Sequence, residues 1–268
     1  MPALTEAEVD HYRSQGYCVQ SGVLDAQTLG CLRSAVESAA DSAVAAVPTG
    51  QTYHLDGKRF VDINEEATVQ FEFETGSETV RVIETVHQLH PALDALLDDP
   101  RITEPAAQLV GATSISVWTN KLNLKRAREG SGFGWHQDAP YWMHDATHLD
   151  QLPNVMVTLD DADRDNGCFA VIARSHLGGI LPGCDDGSQL GGFYTSPRAF
   201  NEDDRVDFCV EAGSLVFFDP YAVHGSGPNT SDRARRALVL TYQPGDLPML
   251  KSGKVRNVRT KEGIDNER

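Results

Sequence analysis

Two short segments contain the residue types that most clearly suggest chemistry. His136 and Asp138 lie two residues apart, and His224 begins a distant His-Gly-Ser-Gly segment. On a β-strand or at its end, residues i and i+2 point to the same side of the sheet. Two imidazoles and one carboxylate on one face of a metal form the facial triad that binds non-haem Fe(II) and leaves other coordination positions open. The spacing therefore predicts a mononuclear iron site.

Three arginines follow the distal histidine. Arg233, Arg235 and Arg236 lead into the apolar stretch 237–242, which is typical of a β-strand. A guanidinium on this strand is suited to hold a carboxylate, such as the far carboxylate of 2-oxoglutarate. An H-x-D pair alone is weak evidence for a metal site, because this spacing often arises by chance. Its combination with a distant His and a following Arg predicts an Fe(II)- and 2-oxoglutarate-dependent dioxygenase that uses O2 as its second co-substrate.

Two competing interpretations stay open at this point. His144 and His148 are spaced i, i+4 and would share one face of a helix. They could bind zinc in a hydrolase, although no Glu lies between them as in H-E-x-x-H. The other alternative is a non-catalytic jelly-roll protein that binds a ligand and never releases succinate. The complete triad and the arginine count against this alternative, because a decayed site would have lost one of them.

Charge and cysteine content restrict the partners and the compartment. The 268 residues include 39 Asp and Glu against 23 Lys and Arg, a formal net charge of −16. Such a surface repels phosphate backbones, so we expect no nucleic-acid partner. The five cysteines form no C-x-x-C motif, which favours a reducing compartment. Neither a signal peptide nor a membrane-length apolar run is evident, so we expect a cytoplasmic protein without a membrane partner.

The hydrophobic pattern changes from helical in the first half of the chain to alternating in the second. Helices are predicted over 5–15, 25–47, 79–97 and 102–110. Strands are predicted over 17–20, 69–73, 115–124, 154–159, 168–172, 206–210, 215–218 and 237–242. The absence of a βαβ alternation argues against a parallel sheet. We therefore predict a mainly β fold with flanking helices, namely a double-stranded β-helix (a cupin-like jelly roll) backed by N-terminal helices.

The same pattern predicts a single domain over 1–268. It would comprise a helical N-terminal region (1–112), a jelly-roll core (113–245) and a polar C-terminal tail (246–268), of which residues 251–268 are expected to fray. Two long irregular segments, 130–151 and 177–204, interrupt the core. Loops of this length inside a compact domain are usually functional or disordered, so we expect them to form walls or lids of the substrate pocket. The patterns favour neither a monomer nor an oligomer.

Several segments resemble the phytanoyl-CoA dioxygenase family of Fe(II)- and 2-oxoglutarate-dependent oxygenases. They are the N-terminal helix and strand 4–25, the iron motif 135–138, the mid-core turn and strand 165–168 with 175–176, and the distal motif 224–229. Arg174 stands where the family usually has Gly. The resemblance covers nearly the whole chain and is weakest at 48–78 and 177–205.

The resemblance implies a jelly-roll core with iron held by His136, Asp138 and His224. In the family the co-substrate arginine lies eleven residues after the distal histidine, which here is Arg235. Strand parity supports this choice, because Arg235 would share a face with the small and apolar positions 237, 239 and 241. The family's serine two residues after the distal histidine corresponds to Ser226, a partner for the same carboxylate.

Four further co-substrate contacts are implied where the chain departs from the family pattern. Lys121 stands where relatives often have Met, with Asn123 on the same side, and both would contact 2-oxoglutarate or substrate. Met156 replaces a Trp, and Arg81 aligns with a helical Lys that reaches the co-substrate. The retained carboxylate of Asp138 favours hydroxylation over halogenation. The implied reaction is hydroxylation of an aliphatic C–H of a small organic or natural-product-like substrate, with release of succinate and CO2.

Overall fold

The computed structural model describes residues 3–74 and 76–259, which form two antiparallel sheets and a set of flanking helices. The helices are α1 (Glu6–Gln15), α2 (Ala26–Ala46), α3 (Pro91–Leu96), α4 (Pro100–Val110) and α5 (Ala139–Trp142). None of the helices in these two stretches combines the length and apolarity needed to cross a bilayer.

The larger sheet has nine strands. They are β1 (Tyr17–Gln20), β2 (Gln51–Leu55), β3 (Lys58–Asp62), β4 (Thr68–Phe71), β5 (Val80–Glu84), β6 (Ile115–Lys125), β8 (Asn154–Thr158), β11 (Leu215–Phe218) and β13 (Arg235–Pro244). Their order across the sheet is β1-β11-β8-β13-β6-β5-β4-β3-β2. The longest pairing joins β13 to β6 and puts Arg235 opposite Lys125. In the strand order given above, these two strands lie at the centre of the sheet.

The smaller sheet has four strands. They are β7 (Phe133–His136), β9 (Phe169–Ile172), β10 (Arg205–Asp207) and β12 (His224–Ser226), in the order β10-β9-β12-β7. Apolar side chains from both sheets meet in one buried cluster, which includes Met156 and Val239 of the larger sheet and Phe169 and Val171 of the smaller one. The predicted jelly-roll core with flanking helices is confirmed.

Alternation along the central strands separates two cores. On β13, Val239 belongs to the cluster between the sheets, whereas Leu238 and Leu240 belong to the cluster under the helices. Period-two alternation sends successive side chains to opposite faces, so each strand contributes to both cores. The inner face of the larger sheet is thereby left to line the space between the sheets, where polar side chains can face a ligand.

The N-terminal helices cover the outer face of the larger sheet. The predicted capping box at the start of α1 is present, because the hydroxyl of Thr5 accepts from the Glu8 amide and the Glu8 carboxylate accepts from the Thr5 amide. The carboxylate of Asp25 caps α2 by accepting from the Thr28 amide. The apolar side of α2, which includes Leu32 and Val36, is buried against the sheet.

The helix predicted over 79–97 is wrong. This segment contains β5, a short 3-10 turn and α3, and Ile83 of β5 pairs with Leu122 of β6. The β-branched residues Val80, Val82 and Ile83 favour a strand when a neighbouring strand is available. The N-terminal region that was predicted to be helical therefore also contributes β1 to β5 to the larger sheet.

Three smaller expectations are also corrected. The irregular segment 130–151 contains β7 and α5, and the strand expected over 206–210 ends at Asp207 as β10. The tail expected to fray is packed through residue 259, with bridges from Asn257 to Ser116 and from Val255 to Pro248. Residues 260–268 lie outside the described residues.

Candidate active site

The predicted metal ligands come together between the two sheets. His136 at the end of β7 lies directly opposite His224 at the start of β12, with their ring centroids 4.1 Å apart. Asp138 follows β7, and its Oδ2 lies 3.7 Å from Nε2 of His224. One ligand atom from each residue lies within 4.8 Å of the others. Within the described residues, this is the one cluster of three or more potential ligands that is so arranged.

Backbone contacts fix which nitrogen of each imidazole is free. Nδ1 of His136 lies 2.8 Å from the carbonyl oxygen of Gly134, and Nδ1 of His224 lies 2.9 Å from that of Ala222. A carbonyl oxygen can only accept, so Nδ1 carries the proton and Nε2 keeps its lone pair for a metal. Burial, together with the proximity of His224, lowers the pKa of His136 to about 3. The ring is therefore neutral, as a ligand must be.

Asp138 is held by a chain of side-chain hydrogen bonds. Its Oδ2 accepts from Nδ2 of Asn154 at 2.9 Å, and Oδ1 of Asn154 accepts from the Thr241 hydroxyl at 2.6 Å. Burial raises the pKa of Asp138, but the charges of His224 and Lys121 lead the effects that outweigh it and hold this pKa below its usual value. The carboxylate is therefore ionised. The donor set of two imidazoles and one carboxylate fits Fe(II).

The structure does not assemble a second metal site from His144 and His148. Helix α5 ends at Trp142, so these histidines do not share a helical face as expected. His144 is exposed, and Nε2 of His148 is 3.1 Å from Oε1 of Gln243. Neither belongs to a potential metal cluster in the described stretches of the chain, which removes the basis for the zinc hydrolase alternative.

A cavity of about 390 Å³ opens from the metal ligands along the inner face of the larger sheet. This volume is within the range of small-molecule sites. Each residue that the sequence predicts as a co-substrate contact lines the cavity, namely Arg81, Lys121, Asn123, Met156, Ser226 and Arg235. The cavity can therefore bring an organic molecule close to the metal ligands.

Arg235 is a buried cation that lacks an ion-pair partner among the described residues. Its side chain is almost fully buried and its Nε has no hydrogen-bond partner there, while burial lowers its pKa to about 10. The neighbouring arginines are engaged elsewhere, because Arg233 contacts Asp163 at the surface and Arg236 pairs with Asp160. A buried, unpaired guanidinium is costly unless an anion binds it, so this end of the cavity fits an anionic ligand.

Lys125 is a site residue that was not predicted from the sequence. Its Nζ donates to the Ser226 hydroxyl at 2.8 Å and to the carbonyl oxygens of Gly167 and Gly227. Burial, followed by the charges of Arg235 and Arg81, lowers the pKa of Lys125 to about 6. The signal that could have found it is strand parity, because Lys125 continues the inward-facing series of Lys121 and Asn123.

Arg81 lies on strand β5 and not on a helix as the resemblance implied. Its Nε donates to the Ser131 hydroxyl at 2.9 Å, and Nη2 donates to the Gly132 carbonyl at 2.6 Å. The guanidinium carbon is 3.6 Å from the centroid of the Phe133 ring, a cation–π contact. Its position is therefore fixed by the segment that leads into β7, and through it Arg81 supports the wall of the cavity.

Two segments that lie far apart in the sequence meet over the mouth of the cavity. The turn between β2 and β3 contributes Asp56, whose carboxylate accepts from the Gln189 and Leu190 amides, both at 2.7 Å. These amides belong to the strap, which we define as residues 183–195. Lys58 of the same hairpin donates to the Tyr194 hydroxyl at 2.7 Å. The strap thus forms a wall beside the metal ligands, in keeping with the role expected for 177–204.

The fold and the ligand set define a class. A jelly roll that carries two histidines and one carboxylate beside an open cavity is the arrangement of non-haem Fe(II) oxygenases. Comparison with known families places the chain within this class. The phytanoyl-CoA dioxygenase (PhyH) family model matches residues 12–237, and the chain belongs to this family of Fe(II)- and 2-oxoglutarate-dependent oxygenases. Its cofactors are Fe(II) and 2-oxoglutarate, and His136, Asp138 and His224 form the facial triad.

Curated relatives with assigned activities share part of the sequence. The chain is 29% identical over 202 residues to the L-proline trans-4-hydroxylase of Streptomyces griseoviridis, a match that covers 69% of this chain and 75% of that protein. It is 30% identical over 184 residues to the ectoine dioxygenase of Bordetella parapertussis, which covers 63% of this chain and 59% of that protein. The chain thus spans less than two thirds of the second relative.

Solved structures share the fold at lower identity. The 2-oxoglutarate-dependent carbocyclase SnoK from nogalamycin biosynthesis has a TM-score of 0.66 at 21% identity, with 99% of this chain and 91% of that chain covered. EctD from S. alaskensis, with 2-oxoglutarate and 5-hydroxyectoine bound, also has a TM-score of 0.66 at 21% identity and covers 90% of this chain and 76% of that chain. These matches support the jelly-roll architecture.

Proposed function

We propose that this protein hydroxylates an aliphatic C–H bond of a small organic molecule, with 2-oxoglutarate and O2 as co-substrates and succinate and CO2 as by-products. The observation that carries the proposal is the buried guanidinium of Arg235, which has an unsatisfied Nε and lines the same cavity as the metal ligands. A cation in this position suits the distal carboxylate of a short dicarboxylic acid.

The residues that surround the metal ligands then have distinct roles. His136, Asp138 and His224 would hold Fe(II), and bound Fe(II) with 2-oxoglutarate would supply the activation of O2 that attack on an unactivated C–H bond needs. Arg235 and Ser226 would bind the distal carboxylate. Lys125 would orient the hydroxyl of Ser226, to which it donates a hydrogen bond.

The apolar portion of the cavity is consistent with a co-substrate that extends from the metal ligands to Arg235. Met156 and Val239 lie directly opposite each other on neighbouring strands and line the cavity. Both side chains exclude water from the space beside the metal ligands. Arg81 contributes less directly, because its hydrogen bonds to Ser131 and Gly132 hold the segment before β7. Asn123 and Lys121 face the remaining space, which we assign to the substrate.

The relatives guide the choice of substrate probes. Similar proteins carry names that specify hydroxylation of L-proline, of methylphosphonate, and oxygenation of ectoine. All three are small polar molecules, and the cavity of about 390 Å³ must hold both co-substrate and substrate. We therefore propose a substrate of similar size for this protein, not a long-chain acyl thioester.

The cofactor site can be tested without knowledge of the substrate. Anaerobic addition of Fe(II) and then 2-oxoglutarate to the apoprotein should produce the weak visible charge-transfer band of the chelate. The band should be lost in His224→Ala. Arg235→Ala should raise the 2-oxoglutarate concentration needed for half-saturation by roughly a hundredfold, since a buried charge pair is broken.

Arg233→Ala is the matched control. Its side chain is exposed and contacts Asp163, so it should leave 2-oxoglutarate binding unchanged. If Arg233→Ala and not Arg235→Ala weakens binding, the assigned strand register is off by two residues. Succinate release would then be measured with L-proline, ectoine and methylphosphonate as first probes. Ligand binding without any succinate release would favour the non-catalytic jelly-roll alternative.

A further inference from the structure

An ion pair lies on the floor of the cavity, in the space that we assign to substrate. Glu84 of β5 and Lys121 of β6 are direct cross-strand neighbours, and both line the cavity. On its other side, Lys121 lies opposite Val239 of β13. Val239 is two residues from Ala237 and four residues from Arg235 along that strand. The pair is therefore separated along the sheet from the end of the cavity that fits the co-substrate.

The two charges of this pair are only partly satisfied. Oε2 of Glu84 and Nζ of Lys121 lie 3.6 Å apart, beyond hydrogen-bond distance. The other carboxylate oxygen of Glu84 accepts from the Thr119 hydroxyl at 2.7 Å. Within the described residues, Lys121 has no closer polar partner than Glu84. About a quarter of each side chain stays accessible, 27% for Lys121 and 28% for Glu84, so both can bind a further group.

Apart from Arg235, which we assign to the co-substrate, the other cations that line the cavity are engaged by protein groups. Lys58 donates to the Tyr194 hydroxyl, and Arg81 donates to Ser131 and to the Gly132 carbonyl. Burial lowers the pKa of Lys121, but Glu84 and then Asp138 outweigh it and raise this pKa above its usual value. Lys121 is therefore a charged donor with free hydrogen-bonding capacity in the substrate region of the cavity.

We propose that Glu84 and Lys121 determine substrate specificity by binding a small zwitterion, with Lys121 on its acid group and Glu84 on its primary or secondary ammonium group. This inference rests on the proposed function of the same cavity and adds the class of substrate. The amide side chains of Gln70 and Asn123 also line this floor and offer uncharged donors and acceptors beside the pair.

Charge balance favours a zwitterion over other ligands. A ligand with a single charge satisfies one member of the pair and draws it away from the other, which leaves a partly buried charge without its partner. A neutral ligand covers both charges and compensates neither. A zwitterion supplies one opposite charge to each member, so both stay paired when water is excluded.

The wall opposite the sheet suits the apolar portion of such a molecule. Tyr141 and Phe193 stack with their ring centroids 4.5 Å apart, and both line the cavity beside His136. The charged groups would be held on the sheet, and the carbon skeleton would lie against these rings. A C–H bond of the skeleton would then face the metal ligands.

The test compares amino and imino acids of graded size with their methyl esters and N-acetyl derivatives. Binding is measured by anaerobic isothermal titration calorimetry of protein loaded with Fe(II) and 2-oxoglutarate, in which no turnover occurs without O2. We expect at least one acid to bind and its ester and N-acetyl forms to bind roughly tenfold more weakly or worse. Lys121→Met should weaken binding of the acid at least tenfold and hardly affect the ester, and Glu84→Gln should weaken the acid and hardly affect the N-acetyl form.

Lys254→Met is the matched control, because Lys254 forms a surface ion pair with Glu66 and does not line the cavity. The proposal is overturned if no acid binds, if the ester and N-acetyl forms bind as tightly as the acid, or if Lys121→Met leaves the acid unaffected. Failure of the proposed function has a different signature, the absence of the visible Fe(II)–2-oxoglutarate band in the wild type. If the band is absent, the same titrations are made on the protein without Fe(II) and 2-oxoglutarate, so that zwitterion binding is judged separately from the co-substrate site.

Discussion

At the scale of single residues, the metal ligands depend on polar groups that hold them in one orientation. Asn154 joins Asp138 to Thr241 through two hydrogen bonds. Asn154→Leu should weaken Fe(II) binding by about ten- to hundredfold, because loss of such outer partners costs that much in other metal sites. Fe(II) titration of the apoprotein measures the effect. Thr241→Val, which removes only the outer link, should have a smaller effect, and equal affinities for all three proteins would contradict this account.

Lys125 should make the free energy of unfolding depend measurably on pH. Its pKa is lowered to about 6 in the folded protein, first by burial, from a value of 10.5 for the free side chain. Between these values the unfolded chain binds more protons than the folded chain, so the free energy of unfolding rises with pH in this window. Denaturant unfolding at several pH values should show wild-type stability rising relative to Lys125→Met, by at most about 1.4 kcal/mol per pH unit.

A flat difference between wild type and Lys125→Met above pH 6 would mean that Lys125 stays charged in the folded protein. Lys251→Met is a useful comparison, since Lys251 is partly exposed and pairs with Asp62. It should not produce the same trend. The two lysines differ in burial and in the sign of their neighbours, and only Lys125 has cations as its main charged neighbours.

The residues differ in how far the sequence could reveal them. Two features could be predicted from the sequence. One is the local spacing of His136 and Asp138, and the other is the family's spacing from the distal histidine to Arg235. Lys125 was missed because a lysine at a strand end is usually exposed. Its burial depends on carbonyl oxygens from Gly167 and Gly227, which are distant in sequence.

At the scale of secondary-structure elements, long alternating segments were predictable and short ones were not. Strands β6, β8, β11 and β13 agree with prediction to within a few residues, because each is buried on both faces and rich in β-branched or aromatic residues. Strand β5 was mistaken for a helix, since its short apolar run fits both periods. Strand β12 has only three residues, and it is defined by pairing with β7 and β9 and not by its own sequence.

The contact between the β2–β3 turn and the strap should control access to the cavity. Asp56 has a positive φ of 49° and accepts from two strap amides. Asp56→Ala removes both acceptors, so hydrogen exchange at the Gln189 and Leu190 amides should accelerate by on the order of tenfold. Hydrogen-exchange mass spectrometry of residues 183–195 measures this change.

Asp56→Asn separates the contact from the shape of the turn. Asparagine tolerates the left-handed conformation and keeps one acceptor oxygen, so it should give an intermediate exchange rate. Faster 2-oxoglutarate consumption without substrate should accompany the loosened strap, because water then enters the cavity more freely. If strap exchange is the same in wild type and Asp56→Ala, other contacts hold the strap.

At the scale of the whole molecule, the C-terminal segment joins the helices to the central sheet. The Val117 amide donates to the Arg256 carbonyl, and the Val258 amide donates to the Ile115 carbonyl, so the segment runs beside the start of β6. This packing was not predictable from the sequence, because residues 246–259 mix polar and apolar residues without a period. Met249 is buried in the core under the helices, and Arg256 pairs with distant acids. No local pattern contains either contact.

Arg256 is a main anchor of this segment, because it pairs with both Asp94 of α3 and Asp98, which follows that helix. Burial raises the pKa of Asp98, but hydrogen bonds from Arg256 and Arg259 outweigh it and hold this pKa below the usual value of 3.8. Arg256→Met should therefore lower the free energy of unfolding by about 2 kcal/mol at neutral pH. Arg259 is more exposed, so Arg259→Met should cost less.

Stability measured at low pH distinguishes loss of the ion pairs of Arg256 from loss of the packing of its side chain. A carboxyl with a depressed folded pKa contributes stability that is complete above its unfolded pKa, here about 3.8, and that disappears as the pH falls through the folded value. Wild type and Arg256→Met should therefore converge in denaturant stability below about pH 4 and differ fully at pH 7. A gap that stays constant down to the acid transition would assign the effect to the aliphatic portion of Arg256 packing against α3, and not to its charge.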